Sequence, residues 1–240
     1  MDDCTNKDNL LALATFQQRY LTNQPQVDPL FDYFTAHLNK LWEYFHPIAA
    51  NAAVSAYVDF ASACYLESMT EGMNISPAAA HYPDYVRLKS GIADFYAFVI
   101  WPAAQFPDIR TYVLAIPAIS RFISEFGLTS SSAWFNLHPD IVNDILSFYK
   151  EELAGETVNY VHLLRAVHHK ATGLEVVDDL VNEAIDLSKE IGTILTGETK
   201  EAWERWKTGY ITCHLCDDRY KLSELCLIEK TERAIPIKVQ

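Results

Sequence analysis

Apolar residues recur at three- and four-residue intervals along almost the whole chain of 240 residues, whereas the alternation typical of β-strands is scarce. A segment of small and apolar residues at 48–68 is typical of a central, buried helix. Because no internal repeat and no long linker divides the sequence, we predict a single all-α domain over residues 1–240. The helical segments predicted by this spacing are 8–22, 30–45, 48–68, 84–101, 108–126, 141–154, 157–169, 173–195 and 198–223.

Two features interrupt the helical pattern in the middle of the chain. Pro117 lies inside the segment 108–126 and predicts a kink there. The stretch 127–140 is rich in serine and contains a proline, so it predicts a loop. Helical spacing resumes directly after this loop, at residue 141.

The charge balance excludes two classes of partner. The chain has 32 acidic and 19 basic residues, a net charge of -13. Nucleic-acid binding needs a basic surface, and anionic membrane surfaces attract basic segments, so neither partner is expected. An anionic small molecule would also be repelled unless a cation lay between it and the protein.

The five cysteines are scattered and odd in number, which does not indicate a disulfide framework. The N-terminal residues are acidic and show no secretory signal, and no run of about twenty apolar residues is present to span a membrane. We therefore expect a cytoplasmic protein of a reducing compartment.

The clearest chemical feature is a polar stripe on the predicted helix at 141–154. Asn143, Ser147 and Glu151 follow one another at four-residue intervals and therefore share an arc of roughly 80°. All three offer oxygen ligands, which suit Mg²⁺. Lys150 lies beside them and can hold a phosphate. An ordinary polar helix face explains the same spacing and stays open as an alternative.

Three further groups carry charges or donors suited to a metal-bound phosphate. Asp2 and Asp3 are adjacent carboxylates that can ligate Mg²⁺. Arg87 and the pair Arg219-Tyr220 offer donors to phosphate oxygens. Each group alone is equally well explained as a solvated helix end, so the prediction depends on the four elements occurring together.

In this order, the four elements resemble those of the trichodiene synthase family of fungal class I sesquiterpene cyclases. Residues 144–151 read Asp-x-x-Ser-Phe-Tyr-Lys-Glu and resemble the family's second metal motif. Residues 209–224 resemble its C-terminal signature, which carries an Arg-Tyr pair. Residues 82–87 resemble the segment that carries the diphosphate-sensing arginine, and Asp2-Asp3 resembles the start of the aspartate-rich motif.

The resemblance implies a class I terpenoid synthase helical bundle that ionises and cyclises farnesyl diphosphate with Mg²⁺ and releases pyrophosphate. An apolar cavity would fold the isoprenoid chain, with Tyr57, Phe60, Tyr65, Phe95 and Phe98 as candidate lining residues. Core packing is the alternative role for each of these rings. The choice between a monomer and a homodimer is left open. The implied ligands of three Mg²⁺ ions are Asp2, Asp3, Asn143, Ser147 and Glu151, and the implied diphosphate ligands are Arg87, Lys150, Arg219 and Tyr220.

The sequence departs from the family pattern in three places, of which one is Asn6, which stands where a further acidic residue often occurs in the aspartate-rich motif. Met1 directly precedes the aspartate pair, so the bundle is expected to be incomplete, without the N-terminal helices. Arg87 and Asn143 are 56 residues apart, which is longer than the resemblance implies, and the excess falls on residues 128–140. We interpret 128–140 as an insertion. A retained intron combined with a late start codon explains these last two departures, and a genuine loop insertion is the alternative.

Other functions stay open beside the cyclase. Cys213, His214 and Cys216, together with Cys226, form a weak zinc pattern, because no second matching pair of cysteines occurs. A catalytically inactive cyclase-like fragment or a helical interaction protein is the main competing class. The terpene product cannot be read from the sequence, because it depends on the contour of the cavity.

Overall fold

The computed structural model describes residues 7–70, 73, 79, 81–82, 85, 89, 92–123, 141–155, 160–167 and 170–222. Within these ranges all regular structure is helical and no β-strand occurs, which confirms the all-α prediction. None of the helices described is long and apolar enough to cross a membrane. The helices are α1 (Lys7–Leu21), α2 (Pro29–Leu38), α3 (Leu41–Tyr44), α4 (Pro47–Thr70), α5 (Ala93–Phe98), α6 (Ile116–Ile123), α7 (Ile141–Ala154), α8 (Tyr160–Val167), α9 (Gly173–Ile194) and α10 (Gly197–Cys216).

The predicted single helix at 30–45 is wrong, because this stretch forms two helices. The carboxylate of Asp28 accepts a hydrogen bond of 2.7 Å from the backbone N–H of Leu30 and caps the start of α2. α2 ends at Leu38, and α3 begins only at Leu41. The chain thus turns between α2 and α3. The two helices continue one apolar pattern, which is why the sequence predicted a single helix.

The predicted helices at 84–101 and 108–126 are also wrong in extent. Ile92 adopts a left-handed conformation with φ 49° and breaks the first segment directly before α5. The second segment opens with two 3₁₀ turns, Ile109–Thr111 and Val113–Ala115. α6 then begins at Ile116, so Pro117 occupies its first turn, where a missing N–H costs nothing. Pro117 therefore starts a helix rather than kinking one.

Two apolar cores organise the described residues. The first core joins α1, α2 and α4 and is centred on Phe16, Phe31 and Tyr57. The second core contains buried residues of α5 to α10. α4 connects the two, since it packs against both α1 and α5. The central helix predicted at 48–68 is present as α4, and it is buried along one side, chiefly through alanines.

A buried tryptophan fixes the start of α10 against the second core. Trp101 is fully buried, and its ring stacks on Tyr112 with the centroids 4.6 Å apart. Its indole N–H donates a hydrogen bond of 3.2 Å to the carbonyl oxygen of Thr199, in the first turn of α10. This contact joins residues that are 98 positions apart in the sequence. It holds in place the helix that leads to the Arg219-Tyr220 pair.

Candidate functional site

α7 carries the polar stripe predicted from the sequence. Ser147 and Glu151 lie one turn apart on this helix, and both side chains are shielded from solvent, with Ser147 2% exposed and the Glu151 side chain 15% exposed. The backbone at Asn143 is helical, which puts this residue one turn before Ser147. The Asn143 side chain lies outside the described part of the chain. The structure therefore brings Ser147 and Glu151 together on one face and is consistent with Asn143 on that face.

The hydroxyl of Ser147 is buried on this face of α7. Among the residues that the structure describes, its Oγ atom has no hydrogen-bond partner. Leaving a buried hydroxyl without a partner costs about 1–3 kcal/mol, so such an atom calls for an explanation. A hydroxyl and a carboxylate on one face supply the oxygen donors that Mg²⁺ prefers. These donor types suit Mg²⁺, and a Mg²⁺ site at this face of α7 stays a prediction.

The side-chain ammonium group of Lys150, beside this face, lies close to the Glu151 carboxylate. Nζ of Lys150 lies 3.8 Å from Oε1 of Glu151, and both side chains are largely buried. The next residue, Glu152, faces a different partner, because its Oε1 lies 2.5 Å from Nε2 of His162 on α8. Glu152 thus contacts α8, whereas Glu151 lies beside Lys150 on its own helix.

The Arg219-Tyr220 pair lies in a 3₁₀ turn, Asp218–Tyr220, that packs against α7. The single helix predicted over 198–223 is wrong, because α10 ends at Cys216. The carboxylate of Asp217 then accepts a hydrogen bond of 2.9 Å from the N–H of Arg219 and starts the new turn. Lys221, at φ 55°, ends it. The turn exposes Arg219, whose Cζ lies 5.9 Å from the centre of the Tyr220 ring.

The structure therefore brings together two of the predicted groups of site residues. α7 supplies Ser147, Lys150 and Glu151, and the turn that contacts α7 supplies Arg219 and Tyr220. Asp2, Asp3 and Arg87 lie outside the described residues, as does the predicted insertion 128–140, so these stay predictions.

The zinc alternative gains no support from the described residues. Cys213 and Cys216 are exposed, whereas the ring of His214 between them is buried. Across the described ranges, no three His, Cys, Asp or Glu side chains come together in a group that could hold a metal ion. Cys226 lies outside these ranges.

The candidate cavity residues lie in two different places. Tyr57 is buried in the first core, with Tyr65 and Phe95 packed against that core. The ring centre of Phe60 lies 6.2 Å from that of Tyr57, whereas Phe98 is buried in the second core. Every one of these rings thus has a packing role, and lining of a cavity stays a prediction.

Two supporting contacts of the site were not anticipated from the sequence. Gly173, the first residue of α9, lies against the ring of Phe148 on α7. His214 lies between the rings of Tyr210 and Tyr220, with centroid distances of 4.5 Å and 4.8 Å. The contact between Tyr210 and His214 could have been predicted from their four-residue spacing, because this spacing puts both residues on one helix face. The contact with Tyr220 had no such signal, because it depends on where α10 ends.

The comparisons with known proteins agree on one family. The family described as trichodiene synthase (TRI5) matches this chain over residues 1–234. Monoterpene synthase 25 of Postia placenta is 33% identical over 227 residues, which cover 94% of this chain and 63% of the relative. Terpene synthase BipA of Cochliobolus sativus is 31% identical over 227 residues, which cover 92% of this chain and 63% of the relative.

A third relative extends this agreement. The (E)-beta farnesene synthase of Metarhizium brunneum is 30% identical over 235 residues, which cover 95% of this chain and 66% of the relative. The chain thus spans slightly less than two thirds of the length of these three curated relatives.

Proposed function

Because this chain belongs to the trichodiene synthase family, we propose that it is a terpene synthase that acts on an isoprenoid diphosphate. The proposed reaction is the Mg²⁺-dependent ionisation and cyclisation of farnesyl diphosphate to a sesquiterpene, with release of pyrophosphate. One observation carries the proposal. The buried Ser147 hydroxyl has no hydrogen-bond partner within the described part of the chain, and it lies on the same helix face as Glu151. The turn that bears Arg219 and Tyr220 packs against that helix.

In this proposal, the residues of α7 hold Mg²⁺ and the basic residues hold the diphosphate. Ser147 and Glu151, together with Asn143, offer their oxygens to the metal. When bound, the metal supplies Lewis-acid stabilisation of the negative charge on the leaving group. Lys150 is a point charge for the phosphates, and Arg219 and Tyr220 are donors from the facing turn. By resemblance, Asp2, Asp3 and Arg87 complete the set, with three Mg²⁺ ions in all.

The charge of the protein supports a metal-mediated site. A net charge of -13 repels a diphosphate at long range. The described site offers few cations, and Lys150 lies 3.8 Å from a carboxylate oxygen of Glu151. Glu151 would hold a divalent cation that offsets this repulsion, and Lys150 would then be available to the phosphate oxygens.

The proposal also specifies the length of the substrate's isoprenoid chain. The names of the relatives include a monoterpene synthase and a farnesene synthase. We propose farnesyl diphosphate as the substrate, and geranyl diphosphate is the direct comparison in the same assay. The preference is read from the ratio of the two kcat/KM values.

The test is turnover by the purified chain. Pyrophosphate release and hydrocarbon products are measured with farnesyl diphosphate, with and without Mg²⁺. We expect release only with Mg²⁺, and a loss of at least about a hundredfold in Asn143→Ala and in Glu151→Gln. The matched control is Glu190→Gln, an exposed glutamate of α9 outside the site, which is expected to keep the activity.

The competing class predicts a different result. A folded chain that shows cooperative unfolding but no Mg²⁺-dependent pyrophosphate release is a catalytically inactive member of the family or a helical interaction protein. Sedimentation of the same preparation separates a monomer from a homodimer. A loss of activity in Glu190→Gln as large as in Glu151→Gln would contradict the assignment of the site to α7.

A further inference from the structure

A row of aromatic rings runs along one face of α10 and leads from the second core to the candidate site. We call this row the aromatic ladder. Its helical members recur at intervals of three or four residues, which puts them on one face. Trp203 is fully buried and begins the ladder on α10 in edge contact with Phe122 of α6. The ladder consists of Phe122, Trp203, Trp206, Tyr210, His214 and Tyr220, with consecutive ring centroids 5.2, 5.6, 4.9, 4.5 and 4.8 Å apart.

His214 is the last residue of the aromatic ladder that lies on α10. Its ring is buried, and its Nδ1 lies 2.8 Å from the carbonyl oxygen of Tyr210, one turn earlier. A carbonyl oxygen accepts, so this nitrogen carries the proton and the orientation of the ring is fixed. The centre of the same ring lies 4.8 Å from that of Tyr220, which follows the end of the helix.

The turn that carries Tyr220 is shaped by local bonds. The N–H of Arg219 donates to the Asp217 carboxylate, and the N–H of Tyr220 donates to the Asp217 carbonyl oxygen at 3.1 Å. These bonds set the shape of the turn, and the N–H of Asp217 donates to the carbonyl oxygen of Cys213 at 3.0 Å, which joins the start of the turn to α10. The ring contact between His214 and Tyr220 adds a side-chain contact between α10 and the end of the turn.

We propose that His214 is a positioning residue for the diphosphate-binding pair Arg219-Tyr220. The packed ladder fixes His214, and His214 fixes the ring of Tyr220 at the place where the turn meets α7. The donors are thus set before the diphosphate arrives, which lowers the ordering cost of binding. This inference rests on the proposed function, because it assigns a task to a residue that supports the same site.

The first experiment measures binding of pyrophosphate in the presence of Mg²⁺ to the full chain by calorimetry. His214→Ala removes the ring, and His214→Phe keeps a flat ring but loses the bond to Tyr210. Because packed aromatic pairs contribute about a tenfold change in an equilibrium constant, we expect Kd to rise about tenfold in His214→Ala. We expect His214→Phe to stay within about threefold of the wild type.

The chain supplies a matched control at a distance. On α2, His37 repeats the local geometry, with Nδ1 2.7 Å from the carbonyl oxygen of Tyr33 and the two ring centres 4.1 Å apart. His37→Ala loses the same kind of contact outside the ladder and should leave Kd unchanged. Unchanged binding in His214→Ala, or equal loss in His214→Ala and His214→Phe, would overturn the proposal.

The second experiment needs no ligand and separates this proposal from the proposed function. Trypsin cleaves after arginine, and cleavage after Arg219 reports how firmly the turn is held. We expect cleavage after Arg219 to be about tenfold faster in His214→Ala than in the wild type and in His214→Phe. Cleavage after Arg205, in the middle of α10, should not change. Equal rates after Arg219 overturn the positioning role, whereas a wild type that fails to bind pyrophosphate overturns only the proposed function.

Discussion

Gly173 lies directly against the ring of Phe148, so that a Cβ atom added at Gly173 would be 2.7 Å from Cζ of Phe148. Gly173 is the first residue of α9, and Phe148 is the neighbour of Ser147 on α7. The missing side chain therefore lets the start of α9 approach the helix that carries the candidate metal ligands. The position of α7, and of the candidate site on it, therefore depends on Gly173, which lies outside the site.

We predict that Gly173→Ala destabilises the protein. The ring of Phe148 is buried, and the added Cβ would lie 2.7 Å from its Cζ and 3.1 Å from its Cε2, so the ring must shift to make room. Overpacking of this kind costs about 1–3 kcal/mol. Urea denaturation measures the loss, and the affinity for pyrophosphate with Mg²⁺ should fall in the same variant.

Gly209 provides the control for Gly173→Ala. It lies within α10, and a Cβ atom there would meet nothing within 4 Å. Alanine is favoured over glycine inside a helix by about 0.5–1 kcal/mol, so Gly209→Ala should stabilise the protein. If both variants shift stability in the same direction, the contact with Phe148 does not decide the position of α7.

We predict that Ser147→Ala leaves the stability of the ligand-free protein unchanged or raises it by up to about 1 kcal/mol, because a buried hydroxyl without a partner is removed. The stabilisation produced by Mg²⁺ and pyrophosphate should disappear in the same variant. Thermal unfolding with and without these ligands measures both effects.

Ser120 is the matched comparison for Ser147→Ala. It is equally shielded, but its hydroxyl donates a hydrogen bond of 2.6 Å to a carboxylate oxygen of Asp94. Ser120→Ala should therefore destabilise the protein by about 1–3 kcal/mol, since a hydrogen bond to a charged group is lost. A similar loss in Ser147→Ala would show that the Ser147 hydroxyl is used by the ligand-free fold.

We predict that Trp101→Phe costs about 2–4 kcal/mol of stability. The change removes part of a fully buried ring and leaves the carbonyl oxygen of Thr199 without its donor. Trp42→Phe is the control, because the indole N–H of Trp42 also has a partner, the side-chain oxygen of Asn51 at 2.9 Å, but its side chain is 45% exposed. We expect that control to cost less than about 1 kcal/mol, and chemical denaturation compares the two.

We predict a loss of stability at alkaline pH that two buried tyrosines share. Burial raises the pKa of Tyr57 and of Tyr112 above the ordinary value of 10.0. The contribution of each tyrosine to stability is fully present below pH 10, since each phenol is then protonated in the folded and the unfolded chain. Between pH 10 and the raised pKa of the folded chain, the unfolded chain releases these protons more readily, so stability falls by up to about 1.4 kcal/mol per pH unit for each tyrosine.

Urea denaturation at pH 8 to 11 tests the tyrosine prediction. The combined variant Tyr57→Phe and Tyr112→Phe should lose less stability above pH 10 than the wild type. Tyr33→Phe is the control, because the Tyr33 side chain is 61% exposed. An identical pH dependence in the combined variant and the wild type would contradict the role of burial.

Most helices were predictable from the sequence because their apolar stripes repeat with the helical period. This rule holds for α1, α7, α9 and for α10 as far as its end at Cys216, and the triad spacing correctly places Ser147 and Glu151 on one face. The family was predictable for a related reason, since its motifs are short and local. Spacing within one helix is information that the sequence carries directly.

The remaining features depend on contacts between distant residues or on competing local bonds. The break at Ile92 follows a glycine at position 91, and the end of α10 at Cys216 precedes Asp217, a residue type that caps helices. The helical spacing of the flanking apolar residues outweighed these two local signals in the prediction. The approach of Gly173 to Phe148 depends on how α9 meets α7. Tertiary packing of this kind overrides the local preference of the chain.

The aromatic ladder also gives the protein an optical reporter of its own site. Trp203 and Trp206 are stacked at 5.6 Å, and four-residue steps connect Trp206 through Tyr210 and His214 to the turn that bears Arg219. Any ligand that draws this turn towards α7 changes the surroundings of rings that absorb and emit ultraviolet light. Occupancy of the site can therefore be followed by intrinsic fluorescence, without a label and without waiting for a product.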